Sequence, residues 1–130
     1  MAADGLVRVA SALGPRATMD RLEAAIKDKG LTVFARIDHA AAAKEAGMTL
    51  APTEVLIFGN PKGGTPLMQE AQTLGIDLPL KALVWQDGAG KTWIGYNDPR
   101  WLARRHGVTG HEPILDAMTK ALETVSEEAC

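Results

Sequence analysis

The stretch at residues 53–66, Thr-Glu-Val-Leu-Ile-Phe-Gly-Asn-Pro-Lys-Gly-Gly-Thr-Pro, constrains the fold more than any other part of the sequence. No uninterrupted apolar run is longer than Val55–Phe58, and it is apolar on both faces of an extended chain. A strand with no polar side belongs inside a covered sheet, which predicts a central strand over 53–58. The Asn, Pro and Gly that follow predict a sharp exit into a glycine-rich loop at 60–64. Thr65-Pro66 then opens a helix, because the N–H that proline lacks is not needed at a first helical position.

The rest of the chain supplies partners for that strand. Residues 6–12 alternate loosely and read as a first strand. Thr18 caps a helix to Lys29, with Met19, Leu22 and Ile26 on one face and Gly30 as its stop. Residues 31–37 follow as a strand with Leu31, Val33, Ala35 and Ile37 on one side. Strand, helix and strand in succession predict a right-handed βαβ crossover with parallel strands. A short alanine-rich helix spans 39–46, and Leu67, Met68, Ala71 and Leu74 form the buried stripe of the helix after the glycine loop. Residues 80–86 and 91–97 flank Asp87-Gly88-Ala89-Gly90, a β-hairpin signature. Asp98-Pro99 starts a short helix ending at Gly107, and Ile114, Leu115, Met118, Ala121, Leu122 and Val125 give a last helix, 113–127, its apolar stripe. The expected architecture is a two-layer α/β (α+β) domain. It has a mixed sheet of about five strands, helices mainly on one face, a βαβ start and a late hairpin.

Composition narrows the class. With 130 residues, 46% of them hydrophobic, the chain is long enough for one domain, 1–130, to fold without staples. The single cysteine, Cys130, favours a reducing compartment. A net charge of −2 argues against a nucleic-acid binder, which needs a basic face. No basic segment followed by an apolar run marks a signal peptide, and no run is long enough for a membrane span. A soluble cytoplasmic protein is expected.

Three places can carry chemistry. At the end of the second strand, His39 beside Asp38 can act as a ligand or a general base, although Asp38 is equally a good helix cap. Between the apolar strand and the next helix, backbone N–H groups around Asn60, Gly64 and Thr65, helped by Lys62, can hold an anion. The spacing is not that of a Walker loop, and turn chemistry alone also accounts for these residues. The hairpin region carries Lys81, Trp85, Trp93, Tyr96 and Asp98, and its tryptophans with Trp101 can line a pocket or an interface or simply pack. Alternation puts Lys81, Leu83 and Trp85 on one face, and Thr92, Ile94 and Tyr96 on one face of the partner strand. The histidines at 39, 106 and 111 lack metal-ligand spacing, so no metal site is expected. No Ser-His-Asp or Cys-His arrangement is evident in sequence order, though such triads are spatial. Arg100, Arg104, Arg105 and His106 sit near one helix C-terminus, where cations suit the helix dipole.

These segments resemble the family known as domain of unknown function 302 (TT1751-like). The likeness rests on residues 37–43 (Ile-Asp-His-Ala-Ala-Ala-Ala), 51–68 with its Gly-Asn-Pro and Gly-Thr-Pro-Leu-Met motifs, 77–84 and 95–99. It covers roughly 6–108 and leaves the C-terminal helix outside. The resemblance implies a small α/β fold with no settled activity and pairing into homodimers. It also implies that the motif positions His39, Asn60, Pro61, Gly64, Thr65, Lys81 and Tyr96 form one region. Gln86 followed by Asp87 departs from the acidic residue usual at that strand end. Three functions are open: a small-ligand binding domain using His39, Asn60, Lys62, Gly64, Thr65, Lys81 and Tyr96; a homodimeric interaction module; and an enzyme using His39 as acid–base. The residues name no cofactor.

Overall fold

The computed structural model describes residues 3–130. Five strands form one sheet: β1 (Leu6–Ser11), β2 (Thr32–Asp38), β3 (Thr53–Gly59), β4 (Leu80–Gln86) and β5 (Thr92–Asn97), in the order β1-β5-β4-β3-β2. Five α-helices accompany them: α1 (Pro15–Asp28), α2 (His39–Glu45), α3 (Pro61–Glu70), α4 (Pro99–Arg105) and α5 (Glu112–Ala129). A 3₁₀ turn, Gln72–Ile76, separates α3 from β4.

The α+β class and the five strands hold, but every pairing is antiparallel, so the sheet is not mixed. β1 and β2 do run in the same direction across α1, as the βαβ reading requires. They lie at opposite edges with three strands between them, because β1 pairs with β5 rather than with its neighbour in sequence. The apolar strand β3 is an inner strand, and the middle position belongs to β4.

Register sorts side chains cleanly between the two faces. The rows Arg36–Leu56–Ala82–Tyr96–Val7 and Asp38–Glu54–Val84–Ile94–Val9 cross the sheet on one face. There Leu56 and Ile94 are fully buried against Met19, Leu22 and Ile26 of α1 and Leu122 and Val125 of α5. Each such side chain contributes about 1.5–3 kcal/mol relative to exposure. The other face carries Ile37–Val55–Leu83–Gly95–Arg8 and Thr53–Trp85–Trp93–Ala10, and none of these side chains except Gly95 is fully buried. A second apolar cluster joins Leu67, Leu74, Leu102, Val108 and Leu115 beside the sheet.

Two helix starts and the interior of one strand differ notably from the sequence reading. α1 begins at Pro15, three residues before Thr18, since proline fits the first helical position. Thr18 is buried inside it and bonds the Ser11 hydroxyl at 2.8 Å instead of capping. α3 begins at Pro61, so Pro66 sits in its interior and the glycine segment is its first turn rather than a loop. β2 contains a bulge: Val33 pairs with Phe58 but Ala35 pairs with Ile57. Leu31 and Val33 therefore lie against the helices while Ala35 and Ile37 turn to the open face, breaking the single stripe expected there.

Close backbone packing fixes where β1 begins. Gly5 has φ 73°, and its carbonyl accepts the Asp98 N–H at 2.8 Å at the start of α4. A Cβ on Gly5 would stand 2.3 Å from Trp101 Cδ2, whereas one on Gly30, at φ 77°, would meet nothing. Gly30→Ala is expected to cost about 1 kcal/mol from backbone strain alone. Gly5→Ala must also displace the indole and is expected to cost about 2–4 kcal/mol. Urea unfolding of both variants measures the difference, and equal losses would mean that Trp101 moves aside freely.

Candidate functional site

At the C-terminal end of β3 the chain turns into α3 through Asn60, which has extended backbone and caps the helix with its Oδ1 accepting the Lys62 N–H at 3.0 Å. The Asn60 carbonyl takes the N–H groups of Gly63 and Gly64, at 2.9 and 3.1 Å. Pro61 has no N–H to offer. The donors that a glycine-rich anion loop would present are therefore already satisfied within the helix start. This removes the backbone basis for an anion nest.

The same turn forms one wall of a cavity of about 470 Å³. Leu78, Pro79 and Leu80 lead into β4 at its base, and Ile114, Ala117, Met118 and Ala121 of α5 form the facing wall. These α5 positions recur at helical spacing, so one side of the helix seals the core while the next lines the groove. Leu31 and Phe34 close the β2 side. The bulge after Val33 re-aims the strand there, leaving Phe34 53% exposed at the rim. Gly63 and Gly64 keep the α3 wall low: a Cβ on Gly63 would touch Met118 Cε at 3.6 Å. Among the described residues none that lines this cavity is ionisable, and the polar side chains in its wall are Asn60 and Thr65.

The sequence candidates separate into distinct places. Asn60, Gly64 and Thr65 line the groove, while Lys62 is exposed on α3 outside the lining. His39 is exposed at the first residue of α2, capped by Asp38, whose Oδ1 accepts the Ala41 N–H at 2.9 Å. Asp38 pairs with Glu54 at the start of β3 and Asn60 follows its end, so roughly 20 Å of strand lies between His39 and the groove. Lys81 lies on the open face, its Nζ donating to the carbonyls of Asp77 and Pro79. Tyr96 lies on the opposite, helix-covered face at 5% exposure. Burial, and then the carboxylates of Glu123, Asp98 and Glu127, push its phenol above the ordinary range. The motif residues thus do not form one region. Phe34, Pro79 and Met118 were not legible as groove residues, because the α5 stripe reads as core and the bulge leaves no mark in the sequence.

The hairpin tryptophans are packed against each other, with ring centroids 6.5 Å apart. Asp87 organises the turn: Oδ1 accepts the N–H groups of Ala89 and Lys91, and Oδ2 accepts from Trp93 Nε1 at 2.9 Å. Arg8 and Lys91 lie over the Trp93 ring. At the His39 end, a smaller cleft of about 260 Å³ is lined by Arg16, Asp38 and Glu54. Glu54 there is held by Arg36 Nε and Nη2 at 2.7 and 3.0 Å, and Arg36 also reaches Asp20 and Glu23.

The family model described as "Domain of unknown function DUF302" matches residues 7–127, which includes the C-terminal helix left outside the sequence likeness. The crystal structure of an uncharacterized conserved DUF302 protein from Bacillus stearothermophilus has a similar fold. Its TM-score is 0.86 at 25% identity, covering 98% of this chain and all of that one. Proteins named fluoride-specific ion channel FluC 1 from Brucella suis and Brucella abortus are each 48% identical over 126 residues. The match covers 96% of this chain but 50% and 47% of theirs, so the chain spans about half the length of these relatives.

The Arg36 cluster yields a pH-dependent expectation. Hydrogen bonds from Lys27 first, then Arg36, hold the Glu23 carboxyl below its ordinary value. A lowered folded pKa means stability that is present above the unfolded value and lost as the pH falls through the folded one. Arg36→Met strands Glu54, 17% exposed, and is expected to cost about 2 kcal/mol at pH 7. The part of the gap carried by the Arg36–Glu23 bond should narrow below about pH 4.5, as the pH falls through the lowered Glu23 pKa. Chemical denaturation across pH 3–7 tests this, and a gap independent of pH would remove the electrostatic account.

Proposed function

The chain belongs to the DUF302 family, and we propose that it is a binding domain for a small, uncharged, mainly apolar ligand held in the groove between α3 and α5. The carrying observation is the groove's lining: apolar side chains from β2, α3, the β4 approach and α5, with Asn60 and Thr65 as its polar points. A volume of about 470 Å³ falls in the usual range for small-molecule sites. An anionic ligand fits less well, since it would meet neither a cation in the wall nor unspent N–H donors at the α3 start. Met68 and Met118 give the walls adaptable surfaces suited to ligands of varied shape.

The names of the Brucella relatives describe proteins about twice as long as the match. No helix among the described residues here is long and apolar enough to cross a membrane. On this reading the half of those proteins that matches this chain is a ligand-binding domain.

Thermal unfolding in the presence of neutral aromatic and aliphatic probes, with anions in parallel, tests the groove. A probe at a hundred times its dissociation constant adds about 2.7 kcal/mol, a rise of several degrees. That rise should vanish in Gly63→Val, which fills the groove beside Met118, and persist in His39→Ala and Lys62→Ala. Neutral probes that leave the wild type unmoved, or act equally on Gly63→Val, would sink the proposal.

Homodimerisation is favoured by a separate observation, the open sheet face. Ile37 is 42% exposed there, in one row with Val55 and Leu83 and next to Trp85. Aromatic and aliphatic side chains of this kind suit an interface core. Light scattering is expected to give twice the chain mass for wild type and the monomer mass for Ile37→Glu; a monomeric wild type would refute it.

A further inference from the structure

A different set of side chains meets where the 3₁₀ turn packs beside the end of α4. Thr73, exposed on that turn, shares a 2.8 Å hydrogen bond with His106 Nδ1. His106 Nε2 lies 2.5 Å from Asp77 Oδ2, and Arg105 Nη1 contacts both Asp77 oxygens at 2.8 and 2.6 Å. The imidazole is 8% exposed and the carboxylate 15%, so both are largely covered while the Thr73 residue is exposed. We infer that Thr73, His106 and Asp77 form a nucleophile–base–carboxylate relay that takes an acyl group from activated esters or thioesters.

The order of contacts is what this chemistry needs. A carboxylate accepts only, so Asp77 fixes the imidazole proton on Nε2 and leaves the Nδ1 lone pair facing Thr73. Partial burial pushes the Asp77 pKa up, but the hydrogen bonds from His106 and Arg105 outweigh it and keep the group ionised. With Nδ1 as acceptor, the Thr73 hydroxyl donates to it, which is the geometry of an activated nucleophile. The three residues are brought together across about thirty positions of sequence, which is why no spacing motif reveals them.

The reaction balances without any further group. Thr73 Oγ1 bonds to the acyl carbon while its proton passes to His106 Nδ1. The bond from the acyl carbon to the leaving oxygen or sulfur breaks, and the leaving group takes that proton. Water, deprotonated by the same nitrogen, then attacks the threonyl ester; the carboxylic acid departs and the proton returns to Oγ1. Arg105 is committed to Asp77, and the relay itself contains no donor for a developing oxyanion. This restricts the acyl donors to those whose leaving groups depart readily.

p-Nitrophenyl acetate is the probe. Wild type is expected to release p-nitrophenolate and to carry one acetyl group on Thr73, seen by peptide mass spectrometry after acid quench. Thr73→Val, checked for an unchanged melting curve, should lose the label and slow release on the order of 100-fold, whereas Thr73→Ser should keep both. His106→Gln should flatten the pH–rate profile. Release by Thr73→Val at the wild-type rate, or acetyl found only on lysines, would overturn the inference and leave the cluster a clamp between the 3₁₀ turn and α4.

Discussion

An antiparallel sheet with one face turned to the core needs that face kept dry, and here the task falls to two helices from opposite ends of the chain. α1 and α5 pack side by side over Leu56, Phe58, Val84 and Ile94. α5 also lends Leu115 to the second apolar cluster, but Leu122 and Val125 are buried with the α1 side chains over the sheet. Their association therefore couples the first and last thirds of the sequence. β1 reinforces the coupling by pairing with β5, which places the N-terminal strand beside the hairpin. The Gly5–Trp101 approach and the bond from Asp98 to the Gly5 carbonyl then fasten α4 to the same corner.

Much of this was legible in the sequence wherever the signal is local. The α5 stripe, the Asp87–Gly90 turn and the caps at Asp38 and Asp98 depend on residues within a few positions of one another. What was not legible depends on distant partners. The β1–β5 ladder joins residues 81 to 91 positions apart, so the succession of strand, helix and strand shows the shared direction of β1 and β2 but not the three strands between them. Two prolines competed for one helix start, and the choice between Pro61 and Pro66 rests on Asn60. Its side chain and carbonyl together satisfy three N–H groups before Thr65 is reached.

The candidate site divides in the same way. Asn60, Gly64 and Thr65 could be singled out because helix starts have a recognisable chemistry. The opposite wall is the flank of an amphipathic helix, and nothing in an apolar stripe distinguishes its packed side from its groove side. Lys81 and Tyr96 show the cost of ignoring parity: Lys81 and Ala82 are adjacent in β4, and it is Ala82 that pairs with Tyr96. Lys81 and Tyr96 are therefore separated by the thickness of the sheet. The polar groups around His106 were hidden by their sequence separation, and its neighbours Arg104 and Arg105 read as ordinary helix-end cations.

The bulge in β2 has a consequence beyond placing Phe34. β2 is an edge strand, and an edge of unpaired N–H and C=O groups is a template on which another chain can add a strand. An extra residue there interrupts the even spacing of donors and acceptors and increases the local twist. A flat incoming strand would keep register on only one side of the irregularity. The opposite edge, β1, is six residues long and carries the outward charge of Arg8. The sheet is thus protected at both margins against open-ended addition of strands.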